Sequence, residues 1–94
     1  MGYKYVKEWQ GAQIVITIES LDYLSTLLRY ELKIDGCTQD FYERNLKKGM
    51  EITGVTLSGR DYNGNYIKVT FRESFFSLKA DIYFNDKKIF TQHM

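Results

Sequence analysis

Ile14-Val15-Ile16-Thr17-Ile18 sets the fold, and Ile67-Lys68-Val69-Thr70-Phe71 echoes it 53 positions later. Both alternate with a period of two, which turns successive side chains to opposite faces and marks a strand. A second echo follows 50 positions apart: Tyr30-Glu31-Leu32-Lys33-Ile34-Asp35-Gly36 against Ala80-Asp81-Ile82-Tyr83-Phe84-Asn85-Asp86. Each half reads as one alternating strand and then a second that ends in a tight-turn pair. Ile14, Ile16 and Ile18 share a face while Val15 keeps the other moderately apolar, so this strand is expected at the centre of its sheet. Leu28, Tyr30, Leu32 and Ile34 point one way and Arg29, Glu31, Lys33 and Asp35 the other, a half-buried strand. Ile67, Val69 and Phe71, and then Leu78, Ala80, Ile82 and Phe84, repeat that division.

The turn chemistry agrees. Asp35-Gly36 and Asn63-Gly64 suit the positive-φ positions of type I′ hairpins, and Asn85-Asp86 is a weaker member of the set. Met50 and Ile52 are in phase, and Val55 and Leu57 resume in the opposite phase after Gly54, which predicts a bulge or bend at that glycine. The chain has no proline, so every strand is free to donate along its ladder. Asp40-Phe41-Tyr42-Glu43 has capping-box spacing with Gly49 beyond it, which would start a helix. The hairpin echo favours a return strand over residues 37–42 instead, with a turn or two of helix over 43–48 as the open alternative, and residues 20–25 are a similar connection that could carry one helical turn. Strands are expected at 3–8, 12–19, 26–34, 37–42, 50–57, 66–72, 78–84 and 88–92. The expected fold is a single all-β domain over residues 1–94, an antiparallel β-sandwich of about seven or eight short strands with room for one short helical turn; an α+β variant with one short helix is the alternative.

Ninety-four residues suffice for one core, burying roughly two-thirds of the unfolded chain's surface. The hydrophobic fraction of 44%, with 8 Tyr, 6 Phe and 1 Trp, supplies that core. Thirteen Lys and Arg against 12 Asp and Glu give a net charge of +1, which provides no electrostatic reason for nucleic acid or an anionic membrane as the main partner. One cysteine, Cys37, excludes an internal disulfide and favours a reducing compartment. No apolar run approaches the roughly 20 residues of a membrane helix. The start of the chain lacks the apolar centre of a signal peptide, and Val6 stands where a myristoylation signal needs Ser or Thr. A cytoplasmic location is therefore expected.

Catalytic constellations are sparse. His93 is the only imidazole and lies beside Met94, while Cys37 follows a predicted turn with no pKa-lowering partner, so no nucleophile–base pair is expected. One His and one Cys at such distance form no zinc spacing. Asp61-Tyr62-Asn63-Gly64-Asn65 resembles the start of a calcium loop but lacks the closing glutamate. No cofactor, metal or enzymatic activity is expected. What remains is a sheet face: Tyr66 and Tyr83 share theirs with Lys68 and Lys79. Tyrosine is enriched at protein interfaces, so a non-catalytic protein-interaction module, with a protein partner or a second copy of the chain, is the leading expectation. The alternative is a domain that stacks single-stranded nucleic acid or saccharide on the same Tyr66, Lys68, Lys79 and Tyr83.

Over roughly its last two-thirds the chain resembles the β-sandwich domains of the Fas apoptotic inhibitory molecule family. The residues that carry the likeness are Tyr30-Glu31-Leu32-Lys33-Ile34-Asp35-Gly36, Tyr62-Asn63-Gly64-Asn65-Tyr66-Ile67-Lys68-Val69-Thr70-Phe71 and Asp81-Ile82-Tyr83-Phe84-Asn85-Asp86-Lys87-Lys88. The resemblance implies a compact antiparallel sandwich, no enzymatic activity and function through protein contacts. Within these 94 residues no second tandem domain of that kind is expected.

Overall fold

The alternating segments become strands in a computed structural model that describes residues 2–22, 27–45, 54–74 and 77–93, without the side chains of 73, 74 and 77. Eight strands follow in order: β1 (Gly2–Trp9), β2 (Ala12–Ser20), β3 (Leu27–Ile34), β4 (Cys37–Asn45), β5 (Thr56–Arg60), β6 (Tyr66–Ser74), β7 (Ser77–Phe84) and β8 (Lys87–His93). They form two antiparallel meanders, β1-β2-β3-β4 and β5-β6-β7-β8, with no helix among the described residues. The expected all-β sandwich is the observed architecture. The segment 40–45 is strand rather than helix. The helical turn considered over 43–48, the connection at 20–25, and Met50 and Ile52 lie wholly or partly outside the described residues.

The period-two pattern puts Ile14, Ile16, Ile18, Tyr30, Leu32 and Ile34 of the first sheet against Leu57, Ile67, Val69, Phe71, Ala80 and Ile82 of the second, all buried in one cluster. Tyr30 meets Phe71 edge to face across the sheets at 5.0 Å between ring centroids, a geometry that suits the positive ring edge and negative ring face. Burying a side chain of this size stabilises by about 2–3 kcal/mol relative to exposure.

The sequence echo is a structural repeat. Ile14 pairs with Ile34 and Ile67 with Phe84, at offsets of 53 and 50 residues. The register shifts between Leu32 and Lys33 in the first sheet and between Ile82 and Tyr83 in the second, so a bulge occupies the same place in both. The turn residues do matching work as well. Asp35 donates its N–H to the Gln13 carbonyl at 2.9 Å, and its Oδ1 accepts from the Gln13 N–H at 3.0 Å. Asn85 donates to the Tyr66 carbonyl at 2.7 Å, and its Oδ1 accepts from the Tyr66 N–H at 2.9 Å. An Asx side chain both tolerates positive φ and supplies an acceptor, which is why these turns carry Asp and Asn.

Two expectations about glycine are corrected. Asn63 is not at positive φ. Asp61 instead gathers a longer loop, its Oδ1 accepting from the Asn63 and Asn65 N–H groups and its Oδ2 from the Asn65 amide. A third two-residue turn lies at Gln10-Gly11, where φ is 47° and 83°. Gly54 precedes β5, and its φ is not in the left-handed region. A Cβ there would collide with the Phe71 carbonyl oxygen, so the glycine serves a close backbone approach.

Candidate functional site

The outer face of the second sheet is built in rows that the register dictates. Arg60 lies opposite Tyr66. Ser58, Lys68, Tyr83 and Lys88 form the next row, then Thr56, Thr70, Asp81 and Thr91, and finally Arg72, Lys79 and His93. All four residues expected from the sequence, Tyr66, Lys68, Lys79 and Tyr83, therefore share this face. The bulge in β8 brings Lys88 and Thr91 to one side although they are three apart in sequence.

Asp81 organises the centre. It is 3% exposed although it points outward, because its neighbours cover it. Arg72 donates from both Nε and Nη2, the latter at 3.1 Å, Thr91 Oγ1 donates at 2.7 Å, and Lys88 Nζ lies at 3.5 Å. Burial pushes the carboxyl upward, but the hydrogen bonds from Arg72 and Thr91 and the charges of Arg72 and Lys88 outweigh it and hold the pKa at about 2. The same pairing raises Arg72 above its ordinary value. Asp81 is therefore ionised and its oxygens are paired where it stands.

Around it the face is cationic: Arg60, Lys68, Arg72, Lys79 and Lys88 stand against the single buried carboxylate of Asp81 among the described residues. The outer face of the first sheet is mixed, with Lys4, Arg29 and Lys33 against Glu8, Glu19, Glu31 and Glu43. The near-zero net charge conceals this asymmetry. Both tyrosines are capped by cations of the chain itself. Lys68 Nζ sits 4.7 Å from the Tyr83 ring centroid, and the Arg60 guanidinium carbon 5.6 Å from that of Tyr66.

The other chemical candidates do not converge. Cys37 opens β4 beside the Asp35-Gly36 turn, whereas His93 ends β8 at the opposite end of the strands. A cleft of about 110 Å³ runs past Ile34, Cys37, Gln39, Arg60, Asp61 and Tyr62. Small-molecule sites are commonly about 300–1,000 Å³. The Cys37 thiol raises the Tyr62 hydroxyl pKa there, with further contributions from partial burial and Asp35. Among the described residues no group of three or more His, Cys, Asp or Glu could hold a metal, and no helix is long and apolar enough to cross a membrane.

No protein-family model, no curated protein and no solved structure matches this chain.

Proposed function

We propose that this protein is a non-catalytic protein-interaction module whose outer face on β5–β8 receives an acidic segment of a partner protein. The observation that carries the reading is the field of five cations around a buried, fully paired Asp81, with no competing exposed carboxylate on that face among the described residues. Such a surface attracts anionic partners and speeds their association, an effect that salt screens. The capped rings argue against base or sugar stacking as the main mode, because Lys68 and Arg60 occupy positions a stacked ring would need. The functional implication of the family resemblance, protein contact without catalysis, points the same way.

The second reading, single-stranded nucleic acid or saccharide bound through Tyr66, Lys68, Lys79 and Tyr83, draws on the same cations, which would meet phosphates equally well. Titrating the isotope-labelled chain at low salt with a glutamate-rich peptide, a short oligonucleotide and an oligosaccharide separates the readings. Saturable shifts at Lys68, Lys79 and Tyr83 with the peptide, lost in Lys68→Glu/Lys79→Glu, support the interaction module. Saturation by the oligonucleotide or the sugar but not by the peptide installs the second reading in its place. No saturable shift with any of the three removes this face as a binding surface.

A further inference from the structure

Of the four edge strands, β4 and β5 seal one another. Asp40 Oδ2 accepts from the Ser58 N–H at 3.1 Å, Gln39 Oε1 accepts from the Arg60 N–H at 3.4 Å, and the Gln39 side chain lies where a Cβ on Gly59 would stand. The edge of β8 carries the bulge, a device that spoils pairing with another strand. β1 differs from all three. It runs in unbroken register through eight residues, it has no proline, and among the described residues no backbone hydrogen bond reaches it from any strand but β2.

We infer that β1 is a dimerisation edge, pairing antiparallel with β1 of a second copy about a two-fold axis at Val6. The turn fixes which backbone groups are free. A two-residue hairpin loop is closed by a hydrogen-bonded pair, here Trp9 and Ala12, so Trp9, Lys7, Tyr5 and Tyr3 direct their N–H and C=O groups to β2. Glu8, Val6 and Lys4 direct theirs to the open edge. These three outward pairers are also the outward-facing side chains, and all are exposed, Val6 at 46%.

Two-fold symmetry about Val6 then sets Val6 against Val6 of the second copy, Lys4 against its Glu8, and Glu8 against its Lys4. Every one of those positions is a hydrogen-bonded pair. Lysine on an edge strand ordinarily discourages strand addition, but here the symmetry gives each lysine a carboxylate directly opposite. On the other face the same operation sets Tyr3, 55% exposed, against Trp9 of the second copy. The Val6 pair extends the apolar stripe that begins with Val15, its neighbour on β2. This edge is distinct from the cationic face on β5–β8, so the two proposals stand or fall separately.

Sedimentation equilibrium on the full chain, taken to about 500 µM, tests it, with a dimer of dissociation constant about 10–100 µM expected. Lys4→Glu creates two like-charge pairs and should weaken the dimer roughly tenfold. Adding Glu8→Lys restores opposite charges and should return the affinity to within about threefold of the parent. Both positions are exposed, and circular dichroism verifies that the variants fold. Hydrogen-bonded antiparallel pairs place Cα atoms about 5.5 Å apart, inside the disulfide range of about 4.4–6.8 Å. In a Cys37→Ser background, Val6→Cys should cross-link under mild oxidation and Val15→Cys, one strand inward, should not. A monomer at the highest concentration overturns the inference. So does a dimer indifferent to Lys4→Glu, a charge swap that fails to restore affinity, or equal cross-linking from Val15→Cys.

Discussion

Asp81 shows how one residue can tie three strands together, since its partners lie on β6 and β8 and it stands on β7. Its folded pKa of about 2 lies below the ordinary 3.8, so the folded state holds the proton less tightly than the unfolded chain does. The stabilisation is therefore fully present above about pH 4 and is lost as pH falls from about 4 toward 2, amounting to about 2 kcal/mol. Asp81→Asn should remove about that amount at neutral pH and flatten the acid limb of the stability profile, measured by urea unfolding from pH 2 to 7. An unchanged acid limb would show that another carboxylate dominates it. Two glycines separate two physical reasons for the same residue type. Gly36 has φ of 83° with open space where a Cβ would go, whereas Gly54 has ordinary φ and the Phe71 carbonyl in that place. Asparagine tolerates the left-handed region, so Gly36→Asn should cost less than about 1 kcal/mol. Gly54→Asn should cost about 1–3 kcal/mol, because its Cβ must displace backbone. Equal losses in denaturant midpoint for the two variants would remove the distinction.

At the scale of elements, the strands were legible in the sequence because period-two alternation is a local signal. Leu28 to Ile34 and Leu78 to Phe84 face inward as their pattern requires. The turns were less legible. Asn63-Gly64 has the composition of a hairpin turn, but Asp61 accepts hydrogen bonds from Asn63, Gly64 and Asn65 and holds a longer loop. Gln10-Gly11 carries no such signal at its first position, and the hairpin forms because β1 and β2 pair along their whole length. Tyr66, Lys68, Lys79 and Tyr83 could be grouped because alternation on neighbouring strands puts them on one side. Arg60 and Lys88 could not, since the first needs the β5–β6 register and the second the bulge at Ile89. Asp81 gave no sign of being buried, because its cover comes from side chains on two other strands. The Asx clasps are testable at this scale. Asp35→Ala removes the acceptor for the exposed Gln13 N–H, and Asn85→Ala does the same for Tyr66. Each should lower stability by about 0.5–1.5 kcal/mol by loss of the clasp hydrogen bond, with added strain from alanine at positive φ; Asn85→Ala also loses the exposed bond from its amide to Asn65 Oδ1, a smaller contribution. Thermal melts on the two variants should move by similar amounts, as the repeat implies. A loss confined to one of them would mean that the clasps are alike in geometry only.

The whole molecule is two meanders that share one core. A four-stranded sheet has one apolar face, and that face needs a covering layer. Tyr30 of the first sheet finds its ring contact in Phe71 of the second, and Tyr5 stacks on Phe90 at 5.7 Å. The backbone hydrogen bonds of the ladders, by contrast, stay within each meander. Secondary structure is thus local to each half while burial is mutual. Chain separation between residues 45 and 54 breaks no described strand, so the halves 1–49 and 50–94 should each be unfolded or loosely collapsed alone. Mixed in equal amounts they should recover a cooperative melt and the dispersed amide spectrum of the intact chain, because each supplies the other's missing layer. The intact chain should remain more stable than the mixture at micromolar concentration, since the covalent link removes the cost of association. Tyr30→Ala in the first fragment should weaken reassembly by two orders of magnitude or more, given the roughly 3–5 kcal/mol that loss of a large core aromatic costs. A first fragment that melts cooperatively as a monomer would locate a sufficient core within one sheet. That result would contradict the shared cluster, in which Ile14, Leu32 and Tyr30 are buried together with Ile67, Phe71 and Ile82 of the other half.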